Sequence, residues 1–217
     1  MAVFIDETEA LRYMGYRMAP DAHALSALRA QISEISPRLE PKAVYRAFEI
    51  ERVEGGIALR GSAVWLKGQN IAALLEGCGR AVLLAVTLGP EADAILRRAQ
   101  VRDLFTALAA DACLTAAVER AADELEEEIR REFAPCALTM RFSPGYGDLP
   151  LETQRELLAA LNAYRRIGVS LGESLLVTPQ KSVSAIIGIG GREGREGERG
   201  CGSCAARDCA YRRGNQP

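Results

Sequence analysis

The stretch Arg141-Phe142-Ser143-Pro144-Gly145-Tyr146-Gly147-Asp148-Leu149-Pro150 is the most informative in the chain. An arginine is followed by a turn-forming Ser-Pro-Gly-Tyr-Gly run, and then by an acidic, apolar helix start. Pro144 fixes one backbone angle and supplies no N–H. Gly145 and Gly147 permit positive backbone angles and the close approach of a ligand. Such a turn can present bare backbone N–H and C=O groups to a small polar molecule. Arg141, at its entrance, offers a planar five-donor fork suited to a carboxylate.

Working outward, residues 138–142 read as a strand leading into the turn, and residues 151–164 as a helix leaving it. Residues 174–178 and 182–189 read as strands, the second strongly β-branched. Upstream, 91–133 is almost entirely Ala, Leu, Arg and Glu, good helix formers but too many for one ordinary helix. A break near 100–103, with Asp103 capping the second helix, divides it. In that long second helix Leu108, Ala112, Thr115, Val118, Ala122, Leu125 and Ile129 form one apolar stripe. Residues 80–87 form a continuous apolar run, hence a buried central strand, and Pro90 suits the first turn of the next helix. Residues 42–51 and 56–59 form a hairpin around Glu54-Gly55-Gly56. Residues 7–16, 22–35 (with Asp21 as N-cap) and 70–76 complete the helices. Helices and strands do not alternate regularly, so the expected class is α+β.

Composition fits a soluble globular chain. Of 217 residues, 48% are hydrophobic and 26% charged, with a net charge of −2, so bulk electrostatics recruits neither nucleic acid nor an anionic membrane. No apolar run reaches the roughly 18 residues of a membrane helix. The N-terminus lacks a basic region and a cleavage site, so a cytoplasmic protein is expected. His23 is the only histidine, which excludes any multi-histidine metal site. No P-loop or Rossmann fingerprint is present: Gly188-x-Gly190-Gly191 follows a strand but does not open a helix. Cys78, Cys113 and Cys136 lie in apolar surroundings and read as reduced core residues.

Residues 191–200 are Gly-rich, charged and free of apolar side chains, a flexible-linker composition. Cys201-x-x-Cys204-x-x-x-x-Cys209 follows. In a cytosolic protein such spacing reads as metal binding or redox chemistry. Three thiolates leave a fourth position for Cys78, Cys113, Cys136, a partner's side chain or an external ligand. Zinc and an iron–sulfur cluster both suit the spacing. The expected organisation is one domain over 1–190 and a linker with a Cys-rich tail over 191–217.

Arg141-x-x-Pro144-Gly145-Tyr146 resembles the Arg-x-x-Pro-Gly-Tyr signature of the activation domain of cobalamin (vitamin B12)-dependent methionine synthase. Two further segments continue the likeness in the same order. Ile167-Gly168-Val169-Ser170-Leu171-Gly172-Glu173-Ser174 is similar to the family's Ile-Gly-x-x-Leu-Thr-Glu-Ser, with Gly172 in place of Thr. Pro179-Gln180-Lys181-Ser182-Val183-Ser184-Ala185 is similar to its Pro-x-x-Ser-Val-Ser-Gly. The resemblance implies an antiparallel sheet flanked by helices and a site for S-adenosylmethionine. Arg141 would clamp the ligand carboxylate, with Ser143, Gly145 and Tyr146 lining the pocket. Glu119 falls where the family has a ligand-binding Glu, because Glu126-Glu127 and Arg130-Arg131 fill the places that follow it. The family's N-terminal ligand Asp has no match here, and Glu173, Ser182 and Ser184 suit structural roles equally well.

The implied function is reactivation. S-adenosylmethionine would methylate cob(II)alamin reductively on a partner cobalamin-dependent methionine synthase, in methionine biosynthesis. The chain is too short to hold the other catalytic modules and lacks the Asp-x-His-x-x-Gly cobalamin pattern, so cobalamin would arrive on the partner. The protein would thus be a component of a methyltransferase. A cluster on the Cys-rich tail would deliver the required electron; zinc there would exclude that role. Two other readings stand beside it: reactivation of another corrinoid methyltransferase, and a non-enzymatic S-adenosylmethionine-binding or metal-binding scaffold.

Overall fold

The computed structural model describes residues 3–16 and 18–190. Two short helices, α1 (Glu7–Tyr13) and α2 (Ala22–Ile35), precede a long strand β1 (Lys42–Val53), which turns back into β2 (Gly56–Leu59) and β3 (Trp65–Leu66). Helix α3 (Gln69–Leu74) leads to β4 (Arg80–Thr87), then to α4 (Pro90–Arg102) and the 29-residue α5 (Leu104–Glu132). Beyond the Pro-Gly-Tyr turn come α6 (Thr153–Leu161), α7 (Ala163–Ile167), the small β5 (Ser170–Leu171) and β6 (Val177–Thr178) pair, and β7 (Ser182–Ile189). The main sheet runs β3-β2-β1-β4-β7 with every neighbouring pair antiparallel. The class is α+β, an antiparallel sheet flanked by helices, as expected.

Strand β4 explains the layering. Side chains alternate across a strand, and both of its faces are apolar, so both must be covered. Val82, Leu84 and Val86 pack with Ala122, Leu125 and Ile129 of α5. Ala81, Leu83 and Ala85 pack on the other face with Ile71 and Leu75 beside α3, and with Leu157, Leu161 and Ile167 of α6 and α7. A third apolar cluster joins α1, α2, α4 and the first half of α5, where Ala107, Ala109, Ala110, Ala112, Ala116 and Ala117 are buried. Alanine lets helices approach closely, and it is also the best helix former, so one residue type serves both propensity and packing. No helix among the described residues is long and apolar enough to cross a membrane.

Several boundaries differ from the sequence expectations. Helix α1 ends at Tyr13 rather than residue 16, closed by Gly15 at φ +88°. The helix expected over 151–164 is broken by Asn162, which takes the left-handed conformation (φ 51°) that asparagine tolerates. The strand expected over 174–178 is confined to Val177–Thr178. Leu108 is 43% exposed and leaves the apolar stripe: Ala107, Ala109 and Ala110 beside it are buried, so at this turn Leu108 is on the solvent-facing side of α5. Cys78 and Cys113 are buried, but Cys136 is exposed, on the loop after α5, and is not a core residue.

Residues 138–142 do not form a continuous strand. Leu138 bridges Ile189 and Phe142 bridges Ile186, so five residues face four, the count of a β-bulge. The Thr139 hydroxyl takes the place of a ladder carbonyl, accepting the Gly188 N–H at 2.8 Å. The segment still covers the free edge of β7, and it carries the chain from the α5 side of the sheet (Leu138) to the α3 and α6 side (Phe142, Leu149).

Candidate functional site

Arg141 stands at that crossing, facing the middle of α5. Its Nη2 donates to Asp123 Oδ1 at 2.6 Å and to Glu119 Oε2 at 3.4 Å, and Nε lies 3.6 Å from Glu126 Oε2. Glu126 is also held by Arg130 at 3.1 Å. Glu119, Asp123 and Glu126 are spaced by one turn, so they share a face of the helix. The Arg141 side chain is 18% exposed, and its Nη1 is buried without a hydrogen-bond partner among the described residues. A buried N–H that bonds nothing is costly, so this guanidinium keeps one donor for a further acceptor besides the acids of α5.

The turn that follows is closed by three backbone hydrogen bonds. The Tyr146 N–H donates to Ser143 C=O (3.2 Å), Leu149 N–H to Tyr146 C=O (3.1 Å) and Gly145 N–H to Leu149 C=O (2.9 Å). The N–H groups of Gly145 and Tyr146 therefore close the turn itself, and the bare donors anticipated from its sequence are absent at these two residues. Pro144 and Leu149 are buried and anchor the turn, leaving the Tyr146 ring 67% exposed above it. Gly145 has φ +88°, and a Cβ added there would sit 3.2 Å from the Leu151 side chain, a geometry that favours glycine.

A second anchor was not legible beforehand. The Asp148 carboxylate accepts the N–H groups of Gln69 (2.6 Å) and Asn70 (3.0 Å), the orphan donors at the start of α3. Asn70 Oδ1 returns the bond, accepting Asp148 N–H at 3.2 Å. The N–H groups of Asn70 and Gln69 hold the Asp148 carboxyl below the usual aspartate range. Gly147, at φ +54°, presses so closely on Asn70 that an added Cβ would sit 2.6 Å from its Oδ1.

The other expected residues are dispersed. Ser182 Oγ bonds Pro179 C=O (2.7 Å) and Thr87 Oγ1 (2.8 Å), and Ser184 Oγ bonds Gln154 Oε1 (3.1 Å). These hydroxyls tie the start of β7 to its neighbours. Glu173 is exposed on the β5–β6 loop. Asp6 and Asp21 are N-caps of α1 and α2. Among the described residues no group of three or more His, Cys, Asp or Glu is arranged to hold a metal ion, and Cys201, Cys204 and Cys209 lie outside the described residues. Two shallow concavities lie elsewhere, one between β1 and α6 beside Arg46 and Arg155, another on the outer face of α4. Neither contains an expected site residue. The Arg141 ledge is distinguished by complementary charge and an unsatisfied donor rather than by depth.

Sequence missed Asp123, the nearest partner of Arg141. The available signal was its i+4 spacing from Glu119, which puts the two carboxylates on one face.

Comparison with known proteins supports the resemblance. The model of the family described as vitamin B12 dependent methionine synthase, activation domain, matches residues 77–193. Among solved structures, a crystal structure of the MetH reactivation domain bound to AdoHcy superimposes with a TM-score of 0.60 at 17% identity, covering 87% of this chain and 77% of that one. At that identity the likeness concerns the fold. No curated protein sequence matches the chain. The family match spans more than half of the sequence and includes the turn and Arg141, so the chain belongs to the activation-domain family of vitamin B12-dependent methionine synthase.

Proposed function

We propose that the chain binds S-adenosylmethionine through Arg141, Ser143, Gly145, Tyr146 and Glu119, and supports reductive methylation of cob(II)alamin carried by a partner cobalamin-dependent methionine synthase. The observation that carries this reading is the meeting of Arg141 and Glu119, 22 residues apart, at the foot of the Pro-Gly-Tyr turn. An amino-acid ligand carries a carboxylate and an ammonium on one carbon. The idle edge of Arg141 suits the first, and the carboxylates of α5 suit the second. Backbone carbonyls of the turn and the ring of Tyr146 then bound the remainder of the molecule.

The residues do their work by positioning. After a one-electron reduction by an external donor, the partner's cobalt would take the methyl group from the sulfonium, leaving S-adenosylhomocysteine. Residues 1–190 would be the binding domain, and residues 191–217 a tether. We place a metal ion or cluster at Cys201, Cys204 and Cys209, on their spacing; metal analysis and the visible absorption spectrum of the purified chain separate zinc from iron.

Calorimetric titration with S-adenosylmethionine, beside Arg141→Ala, tests the site. Saturable binding by the wild type, lost in the variant, supports the reading. Equal binding by both would remove Arg141 from the site. Formation of methylcobalamin on an added cobalamin-bearing methionine synthase, with a chemical reductant, then tests the reaction.

A further inference from the structure

We propose that Asp123 is a specificity residue: it supplies a surplus negative charge that makes the site prefer the sulfonium S-adenosylmethionine to its neutral-sulfur product. This rests on the reading of Arg141 and Glu119 as the ligand site.

The argument is a charge count. Arg141 is in contact with Glu119, Asp123 and Glu126, and Glu126 is shared with Arg130. Arg130 also meets Glu127 at 3.6 Å, so four carboxylates against two guanidiniums leave a surplus of negative charge. Glu126 is 14% exposed and held by both arginines, so it is committed within the protein. Asp123 is 49% exposed and Glu119 36%, so both are open to a ligand approaching from solvent.

S-adenosylmethionine carries a carboxylate, an ammonium and a sulfonium, and is a net cation. S-adenosylhomocysteine has lost the sulfonium charge and is a zwitterion. The carboxylate of either ligand goes to Arg141 and the ammonium to one acid. Only S-adenosylmethionine brings a further positive charge, two methylene groups from its α-carbon. Glu119 and Asp123, one turn apart on the same face, can receive both cations. With the product bound, one of the two acids has no cation to meet. Methyl transfer thus abolishes the charge that the second acid recognises, and the product leaves the site more readily than the donor.

The test is a ratio. The dissociation constants of S-adenosylmethionine and S-adenosylhomocysteine are measured calorimetrically for the full chain, Asp123→Asn and Asp123→Glu, at low and high salt. In Asp123→Asn the preference for the sulfonium should fall about threefold to fivefold, the scale of one half-exposed charge pair. Asp123→Glu should retain it, and salt should erode it in the wild type. Asp123→Asn weakening both ligands equally would overturn the inference, because a residue that only holds Arg141 in place gives that result. An unchanged ratio would also overturn it, while leaving the Arg141 site intact. Failure of the wild type to bind either ligand refutes the parent reading instead.

Discussion

Replacing Gly147 by alanine tests how the turn is held. The residue sits at φ +54°, and its α-carbon faces Asn70, whose Oδ1 would lie 2.6 Å and Cγ 3.0 Å from the new methyl. Left-handed backbone costs a non-glycine residue about 1–2 kcal/mol. Asn70 cannot withdraw freely, because the same oxygen accepts Asp148 N–H, and forced overpacking costs about 1–3 kcal/mol. The sum is about 2–5 kcal/mol, or a fall in melting temperature of about 4–20 °C for a chain of this size. Urea unfolding should be run on Gly147→Ala, Asn70→Ala and the double variant. Asn70→Ala alone loses one hydrogen bond, about 1 kcal/mol. In that background the methyl no longer collides, so Gly147→Ala should cost only its backbone term. The cycle should then show a coupling of about 1–3 kcal/mol, the overpacking removed with Asn70. Equal costs of Gly147→Ala with and without Asn70 would refute the packed-clasp account.

Two further expectations follow from the geometry. Alkylation of the native chain followed by peptide mapping should modify Cys136 rapidly and leave Cys113 unmodified until unfolding, since burial pushes the Cys113 thiol up to about 12; rapid native labelling of Cys113 would contradict its packing inside α5. The Asp148 carboxyl is depressed in the folded chain, so its contribution to stability is present above the unfolded value near pH ~3.9 and is lost as pH falls through the lower folded value. Asp148→Asn should therefore unfold at lower urea at neutral pH, and its urea midpoint should fall less steeply than the wild type's on acidification below about pH 4. Parallel curves for the two proteins would remove Asp148 from the acid response.

Much of this architecture was legible because local and tertiary signals agreed. The all-apolar run of β4 demanded cover on both faces and received it. Asp21 and Asp103 marked helix starts that the structure retains, and Pro90 opens α4. The misreadings share one cause, tertiary contacts that local pattern does not encode. Residues 138–142 look like a strand by composition, but the Thr139 hydroxyl captures the Gly188 N–H and the pairing bulges. Cys136 lies among apolar neighbours in sequence and on an exposed loop in space. At the site, Arg141 and Glu119 were found through resemblance. Asp123 was signalled only by its spacing from Glu119, and the Asp148–Asn70 clasp depends on how α3 is oriented, which spacing does not give.

The bulged segment at the free edge of β7 has one more consequence. It is the place where the chain leaves one apolar body, built on α5, and enters the other, built on α3, α6 and α7. The acids of the proposed site belong to the first body and the Pro-Gly-Tyr turn to the second. A molecule held by both is therefore a clamp across a seam rather than the filling of a pocket. Its binding should slow amide exchange on either side of the sheet together, in the middle of α5 and around Leu149, although these regions share no backbone hydrogen bond.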